Sequence, residues 1–297
     1  MSAPLVSIGI PTYNRLAALR RAVGSALSQD HARIDVIISD NASTDGTREF
    51  CEEVAASDPR VRYVRQTVNL GGAANFDLVL EAATGPLFMY LADDDVIAPN
   101  YVSSCVRELV VDPAAVLAFA PARLTKDGEP QGEACGADIV SDDPRERVLA
   151  CYRSSSFYSE FYGVARLDVL RHAPRSPSVM FGDWLYVAGL AYFGRFRVAR
   201  PTWIVKDMGG LSSRAVDWAR IMRQPAWHGR HPRWACAFNA FKDTAWRSKA
   251  YADLSRTKRL VLAVRVFVVL FRRFRFGDVR KQFGYALRSI AGKPSAR

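Results

Sequence analysis

Short apolar runs and longer amphipathic segments take turns along the first 120 residues of this chain. Leu5-Val6-Ser7-Ile8-Gly9-Ile10 predicts a strand ended by Pro11. Leu16, Leu19, Val23, Ala26 and Leu27 recur at helical spacing over about 15–28, with Asn14 as the N-cap. Ile34 to Ser39 is a second strand, rich in β-branched residues, and the polar turn Asp40–Gly46 leads into a helix from about Thr47 to Ala56. Val61 to Arg65 predicts a third strand, Asn69–Gly72 opens a helix through about Ala83, and Pro86 to Leu91 is a fourth strand. Pro99 begins a helix to about Val110, and Ala115 to Ala120 is a fifth strand. Strands alternating with helices at this spacing predict a doubly wound α/β sheet, whose ligands sit at the carboxyl ends of the strands. Pro11–Asn14, Asp40–Asp45, Asn69–Gly72 and Asp93–Asp95 all fall at those ends. Four polar loops on one edge describe a nucleotide-sized site.

From 121 onward the pattern loosens. Lys126-Asp127-Gly128 predicts a hairpin-like turn, Ser141-Asp142-Asp143-Pro144 a helix start, Phe161 to Ala165 a strand and Asp168 to His172 a short helix. Val179 to Tyr192 holds Phe181-Gly182-Asp183-Trp184 ahead of apolar residues at helical spacing, and Phe196 to Val205 returns to strand character. Residues 215–255, rich in Trp and Arg, predict helix with a break near Gly229–Pro232. Further on, Lys258, Arg265 and Arg272 recur every seven residues among apolar runs too short to span a bilayer. Such a basic amphipathic helix, with Arg272-Arg273-Phe274-Arg275-Phe276 as anchors, suits an anionic membrane surface over 258–276. A helix packed on the rest of the chain with its arginines in water explains the same spacing.

Composition changes this picture in three places. At 49% hydrophobic and 24% charged, the chain has ample core-forming material. The five cysteines (51, 105, 135, 151 and 236) are odd in number, widely spaced and free of any C-x-x-C pair, which argues against a disulfide framework or a zinc site and for a reducing compartment. No charged segment or cleavage site precedes the first strand, so no signal peptide is expected. A cytoplasmic location follows, with peripheral attachment to the inner face of the cell membrane as the role of the tail. The net charge of +11 is local: 256–297 holds twelve Lys/Arg against the single acid Asp278, so 1–255 balances to zero. A uniformly basic nucleic-acid binder would not show that division, and no nucleic-acid partner is expected.

The densest chemistry is Asp93-Asp94-Asp95. Adjacent carboxylates repel one another, and a fold accepts them mainly where a cation or solvent screens them. An oxygen-rich site at a strand end suits Mg²⁺ or Mn²⁺ held together with substrate phosphates. A solvated acidic turn explains the triplet equally well. Gly71-Gly72 ahead of a helix lets backbone approach a ligand at an end that favours phosphate, although a simple turn reads the same way.

Taken together, Val6–Asn14, Ile37–Thr47, Asn69–Gly72, Asp93–Asp95 and Gly182-Asp183-Trp184 resemble the inverting family 2 glycosyltransferases of GT-A fold, of the bacterial glycan- and polysaccharide-building type. The segments occur in family order and at family spacing over about 1–215. The resemblance implies a GT-A catalytic domain, a Rossmann-like doubly wound mixed sheet over 1–215, with a nucleotide-binding half at 1–120 and an acceptor half at 121–215, then a helical basic region over 216–297. It implies metal-assisted transfer of a hexosyl or deoxyhexosyl group from a nucleotide-diphosphate sugar to a hydroxyl of a glycan or polyprenyl-linked glycan, with Mn²⁺ or Mg²⁺ as cofactor. Pro11, Thr12, Tyr13 and Asn14 would line the nucleoside pocket, Asp40 would accept a hydrogen bond from base or ribose, and Asn69, Gly71 and Gly72 would complete the donor site. Asp94 would be the main metal ligand with Asp95 beside it, and Asp93 would face the ribose or sugar. Ala92 stands where some members carry the first Asp.

Asp183 matches the catalytic base, with Gly182 in place of the first acid of the family's pair. Inversion needs a carboxylate that takes the acceptor proton as the hydroxyl attacks opposite the leaving group. Strand exit and helix capping also account for Tyr13, Asn14 and Asp183. Where many relatives carry a His after the last strand, this chain has Lys206-Asp207-Met208 and, further on, Arg214. Lys206 or Arg214 would take over the diphosphate contact and Asp207 is a further metal candidate, while His31, His172, His228 and His231 read as surface or structural. Two other classes are a basic membrane- or nucleic-acid-binding module and a nucleotidyltransferase on a similar fold. The balanced charge of 1–255 counts against the first; the placement of Asp183 and the lack of a basic Gly-rich N-terminal loop count against the second.

Overall fold

The computed structural model describes residues 3–126, 128–156, 159–175, 179, 181–208, 219–220 and 223–291, with side chains described as far as 275. Strands β1 (Val6–Thr12), β2 (Ile34–Asp40), β3 (Val61–Arg65) and β4 (Leu87–Tyr90) run parallel in the order β4-β1-β2-β3. Helices α1 (Leu16–Leu27), α2 (Thr47–Ser57) and α3 (Gly72–Glu81) connect them. On the far side of β4 the sheet continues through β9 (Val164–Arg166), β6 (Ala115–Phe119) and β10 (Arg195–Val198); β9 is antiparallel to both neighbours and β10 parallel to β6. The seven-stranded sheet is therefore mixed.

Both faces of the sheet are covered at β1, β2, β4 and β6, which are buried at almost every position, whereas the edge strands β3 and β10 carry arginines. Successive side chains point to opposite faces, and the two cores divide accordingly. Ile8, Ile10, Val36 and Ile38 pack with α1 and α4 (Tyr101–Val111), whereas Ile37, Phe88 and Tyr90 pack with α3, α5 (Pro144–Ser154), α6 (Leu167–His172) and α7 (Gly182–Phe193). The second core also takes in Leu262, Val266 and Leu270 of the C-terminal helix Arg256–Ala291, all essentially fully buried. The tail is thus packed on the α/β body along one face, and truncating Leu270 to Ala would cost about 2–5 kcal/mol.

Four sequence expectations are corrected. Pro11 does not end β1, which continues through it to Thr12 while pairing with Ser39 and Asp40. Gly9 turns its carbonyl toward the β4 side, and Pro11, two residues on, faces the same way, beyond the last β4 partner; its missing N–H therefore breaks no ladder bond. Asn14 is not the α1 cap: it adopts a left-handed φ of 51°, and the Leu16 amide is capped instead by Asp45 Oδ2 at 3.0 Å. The expected strand over Phe161 to Ala165 is a 3₁₀ turn at Glu160–Tyr162 followed by β9. The run Phe196 to Val205 is two strands in different sheets, β10 and β11 (Ile204–Asp207), parted around Pro201.

β11 belongs to a four-stranded sheet with β5 (Val96–Ile97), β7 (Ala122–Lys126) and β8 (Glu129–Ala134), in the order β5-β11-β7-β8. β7 and β8 pair antiparallel across the expected 126–128 turn, of which Asp127 lies outside the described residues. α5 starts as expected, with the Asp143 side chain accepting from the Arg145 amide. The break expected near Gly229–Pro232 falls at His231, between helices Ala226–Arg230 and Pro232–Lys242.

Candidate active site

The carboxyl ends of β1, β2 and β4 are tied together by side chains. Thr12 Oγ1 donates to Asp93 Oδ2 at 2.8 Å, which fixes the end of β1 to the loop after β4. Asn75, on the sheet-facing side of α3, accepts from Ser39 Oγ at 2.6 Å and donates to the carbonyls of Ser39 and Thr12 at 3.0 and 3.2 Å. The Thr12 carbonyl also accepts from the Asn41 amide at 3.0 Å, so Asn75 adds a side-chain donor where the ladder ends. Asp40, fully buried at the end of β2, accepts from the Ser43 amide at 2.8 Å, from Tyr63 Oη at 2.9 Å and from Arg65.

The rim loops interlock in the same way. The Asn14 amide donates to Ser43 Oγ at 2.9 Å, and its Oδ1 accepts from the Thr44 amide at 2.8 Å. Asn41 and Asn69 form a clasp: Asn69 Oδ1 accepts from Asn41 Nδ2 and from the Gly71 amide, and Asn41 Oδ1 accepts from the Leu70 amide, each at 2.8 Å. Gly71 sits at φ 86°, a left-handed conformation that favours glycine, and a Cβ there would meet nothing within 4 Å. The backbone ahead of α3 therefore lies open to a ligand at the amide end of the helix.

Within the triplet each carboxylate has a different environment. Asp93 is buried between Thr12 and Arg15, and burial pushes its carboxyl up to about 6. Asp94 is partly exposed and accepts from Arg15 Nη1 at 2.5 Å. Asp95 is buried and ion-paired to Lys206, with Oδ1 left without a hydrogen-bond partner. Burial alone would lower the Lys206 ammonium, but Asp95 holds it above its ordinary value; its Nζ also lies 3.5 Å from the centre of the Tyr162 ring. Asp183, in the first turn of α7, has its carboxyl pushed up to about 6 by burial, offset in part by the Trp184 amide and by the charge of Lys206. Phe181, two residues before Asp183 and just ahead of α7, is held at φ 64°, and backbone of this kind clusters at functional sites.

The fold thus gathers Thr12, Tyr13, Asn14, Asp40, Asn69, Gly71, Gly72 and Asp93–Asp95 on one edge and brings Asp183 within electrostatic reach of Lys206 beside them. Three expected roles shift. Pro11 is buried in β1, whereas Tyr13, 45% exposed, presents its ring to solvent. Asp40 spends both carboxylate oxygens on its own chain and braces the loop rather than offering a free acceptor. Asp93 faces Thr12 and Arg15. Arg15, Asn75 and Tyr162 were not anticipated: Arg15 directly follows the Pro11–Asn14 segment, and Asn75 is a polar residue on the inward face of a predicted helix, but nothing local marks Tyr162. Arg214 lies outside the described residues.

The donor set fits a divalent ion. Asp94 is accessible and Asp95 Oδ1 is a buried, unpartnered acceptor beside it. No cluster of three His, Cys, Asp or Glu exists among the described residues to complete an all-protein shell. Mg²⁺-type sites use one or two carboxylates and take their other ligands from phosphate and water. The expected structural role holds for His31 and His172, each of which hydrogen-bonds a backbone carbonyl within 2.8 Å.

A mixed sheet whose carboxyl edge gathers these loops defines a GT-A-type α/β fold. Solved structures agree on the fold: TarS 1–349 of S. aureus with UDP has a TM-score of 0.54 at 13% identity, covering 92% of each chain. The mannosyltransferase PcManGT from Pyrobaculum calidifontis, with GDP-Man and Mn²⁺, has a TM-score of 0.51 at 18% identity, covering 96% of this chain and 80% of that one. Residues 7–154 match the model of Glycosyl transferase family 2, and the chain belongs to that family. A curated relative, the GalNAc(5)-diNAcBac-PP-undecaprenol beta-1,3-glucosyltransferase of Campylobacter jejuni, is 26% identical over 170 residues, 57% of this chain and 54% of its own. The chain spans about half or less of the length of the first curated relatives it matches.

Proposed function

We propose that this chain transfers a sugar, with inversion, from a nucleoside-diphosphate donor to a hydroxyl of a glycan or lipid-linked glycan, using Asp183 as general base. The observation that carries the reading is the buried Asp95–Lys206 ion pair beside the partly exposed Asp94 at the carboxyl edge of the sheet, with the charge of Lys206 also favouring the ionised form of Asp183. One carboxylate group serves the leaving side and the other the attacking side. Relatives and neighbours support the substrate classes, since their names include a lipid-linked acceptor and a nucleotide-sugar complex.

In this reading Tyr13 and the Asn41–Asn69 clasp seat the nucleoside, and the open backbone at Gly71-Gly72 receives the diphosphate at the amide end of α3. Asp94 and Asp95 Oδ1 would hold Mn²⁺ or Mg²⁺, which when bound supplies neutralisation of the departing diphosphate. Arg15 and Lys206 hold the triplet in place and add positive charge on the same side. Asp183 accepts the acceptor's proton while its neighbours exclude water. Its raised pKa suits a base working near neutral pH, ionised yet able to hold a proton. The functional division is a catalytic part at 1–215 and a C-terminal region at 216–297 that supports the acceptor side, although the packing core runs across that boundary. No described helix is long and apolar enough to cross a membrane, so we assign any lipid contact to the surface of the C-terminal region.

The test is a thermal-shift panel of nucleoside diphosphates and nucleotide sugars with and without Mn²⁺ or Mg²⁺, because a ligand of the native state raises the melting temperature by mass action. One base should give a metal-enhanced shift, and Asp183→Asn should keep that shift while losing transfer. A panel in which no nucleotide shifts the protein under either metal refutes the reading.

A further inference from the structure

A cavity of about 700 Å³ lies between the helix Pro232–Lys242 and the C-terminal helix, apart from the triplet edge. Its volume falls inside the about 300–1,000 Å³ range of ligand sites. Arg230, Arg233 and Arg275 line it together with Trp234, Phe271 and Phe274, and no carboxylate is among the described lining residues. Arg230 and Arg275 form no ion pair with a described residue. Guanidinium groups converging on one pocket suit a phosphate, which they can grip through two parallel hydrogen bonds. The first turn of an eleven-residue helix, at Pro232–Trp234, opens on the same space and adds a favourable end for an anion.

The walls are as informative as the charges. Trp234 stacks obliquely on Phe271 with ring centres 5.6 Å apart and remains 44% exposed. Leu260, Val264 and Val268 are exposed apolar residues that, at helical spacing, lead along the C-terminal helix to Phe271 and Arg275. An apolar stripe running into a cationic pocket matches an amphiphile with one phosphorylated end, and it matches poorly a nucleic acid, which presents phosphates along a track. The pocket also adjoins the catalytic side: Phe274 lies 6.5 Å from the ring of Trp184, the residue after Asp183.

We propose that this pocket binds the phosphate end of a polyprenyl lipid, with the first part of the chain lying along Trp234 and Phe271. The inference rests on the glycosyltransferase reading only in making that lipid the carrier of the acceptor glycan. The experiment uses the full chain and phosphatidylcholine vesicles doped with undecaprenyl phosphate, scored by co-sedimentation. Three comparison arms are undoped vesicles, vesicles with phosphatidylglycerol at equal charge, and competition by soluble inorganic pyrophosphate. Doped vesicles should capture the protein saturably, and Arg230→Ala/Arg275→Ala should weaken capture at least about tenfold without moving the melting temperature. Trp234→Ala, which removes no charge, should weaken it as well. Equal capture by phosphatidylglycerol, full competition by pyrophosphate with no need of the chain, or unchanged capture by the variants would each overturn the proposal. The nucleotide-induced thermal shift, read on the same samples, separates the outcomes: its absence sinks the glycosyltransferase reading, and its presence without lipid capture sinks this one alone.

Discussion

Replacing Asp183 with Asn should make the protein more stable and nearly inactive, and the pH dependence of both effects follows from one group. Burial raises the Asp183 carboxyl from 3.8 to about 6. At about 1.4 kcal/mol per unit this sets about 3 kcal/mol as the ceiling on the cost of ionising it in the folded chain, and its partial exposure leaves about 1–3 kcal/mol. The folded protein binds this proton more tightly than the unfolded chain does, so the contribution is fully present below pH of about 4 and is lost as pH rises through about 6. Asn cannot ionise and its carbonyl still accepts from the Trp184 amide. Urea unfolding should therefore show Asp183→Asn more stable by about 1–3 kcal/mol at pH 8, with the gain vanishing near pH 4. Transfer should fall by about 10²- to 10⁴-fold, the usual worth of a general base, while the nucleotide-induced thermal shift stays. The wild-type kcat/KM should climb with pH along a limb near 6 and then flatten. A variant with transfer within a few fold of wild type, or one equally stable at both pH values, refutes the assignment of Asp183 as a buried base.

Asp94→Ala should abolish the metal-dependent part of the nucleotide shift and leave the metal-free part, as measured with and without EDTA. Lys206→Met strands the buried Asp95 carboxylate and should destabilise the fold by about 3–5 kcal/mol near neutral pH, whereas Lys206→Met/Asp95→Asn recovers most of the loss; a double variant as unstable as the single one would show that the pair is not coupled. Asn75→Ala leaves the Thr12 and Ser39 carbonyls without their side-chain donor and should cost about 1–3 kcal/mol in urea unfolding, with weaker nucleotide binding as β1 and β2 loosen at their ends.

Much of the frame was legible because local and global signals agree there. The strands over 34–39, 87–90 and 115–119 are largely apolar runs bounded by turn residues and buried on both faces of the sheet, while 61–65 is a half-exposed edge strand. The polar loops were placed correctly because a parallel sheet sends every strand's carboxyl end to the same edge. What was not legible depends on partners distant in sequence. Asn14 reads as a cap from its neighbours, but Asp45, about thirty residues away, takes the amide and frees Asn14 to hold the 43–44 loop. Asp40 reads as a free acceptor until Tyr63 and Arg65 arrive from β3. The tail's seven-residue spacing fits a membrane surface and a packed helix equally well, and only the core containing Leu149, Tyr152, Val266 and Leu270 shows that one face is packed.

The pairing of Asp95 with Lys206 shows how a two-residue strand can decide a site. β5 is too short to leave a sequence signal, yet it pairs antiparallel with β11 as Val96 with Val205 and Ile97 with Ile204. One step further along that register sets Asp95 opposite Lys206, so the strand that follows the triplet pairs with the one carrying the cation that neutralises its last member. A cross-strand neighbour is held by backbone geometry rather than by a flexible loop, which makes the ammonium a fixed charge where, in the proposed mechanism, leaving-group charge develops. The same lysine is close enough to act on Asp183. Strand register in the small sheet therefore holds Lys206 against Asp95, and a one-residue slip of β11 would turn Lys206 to the opposite face and part them.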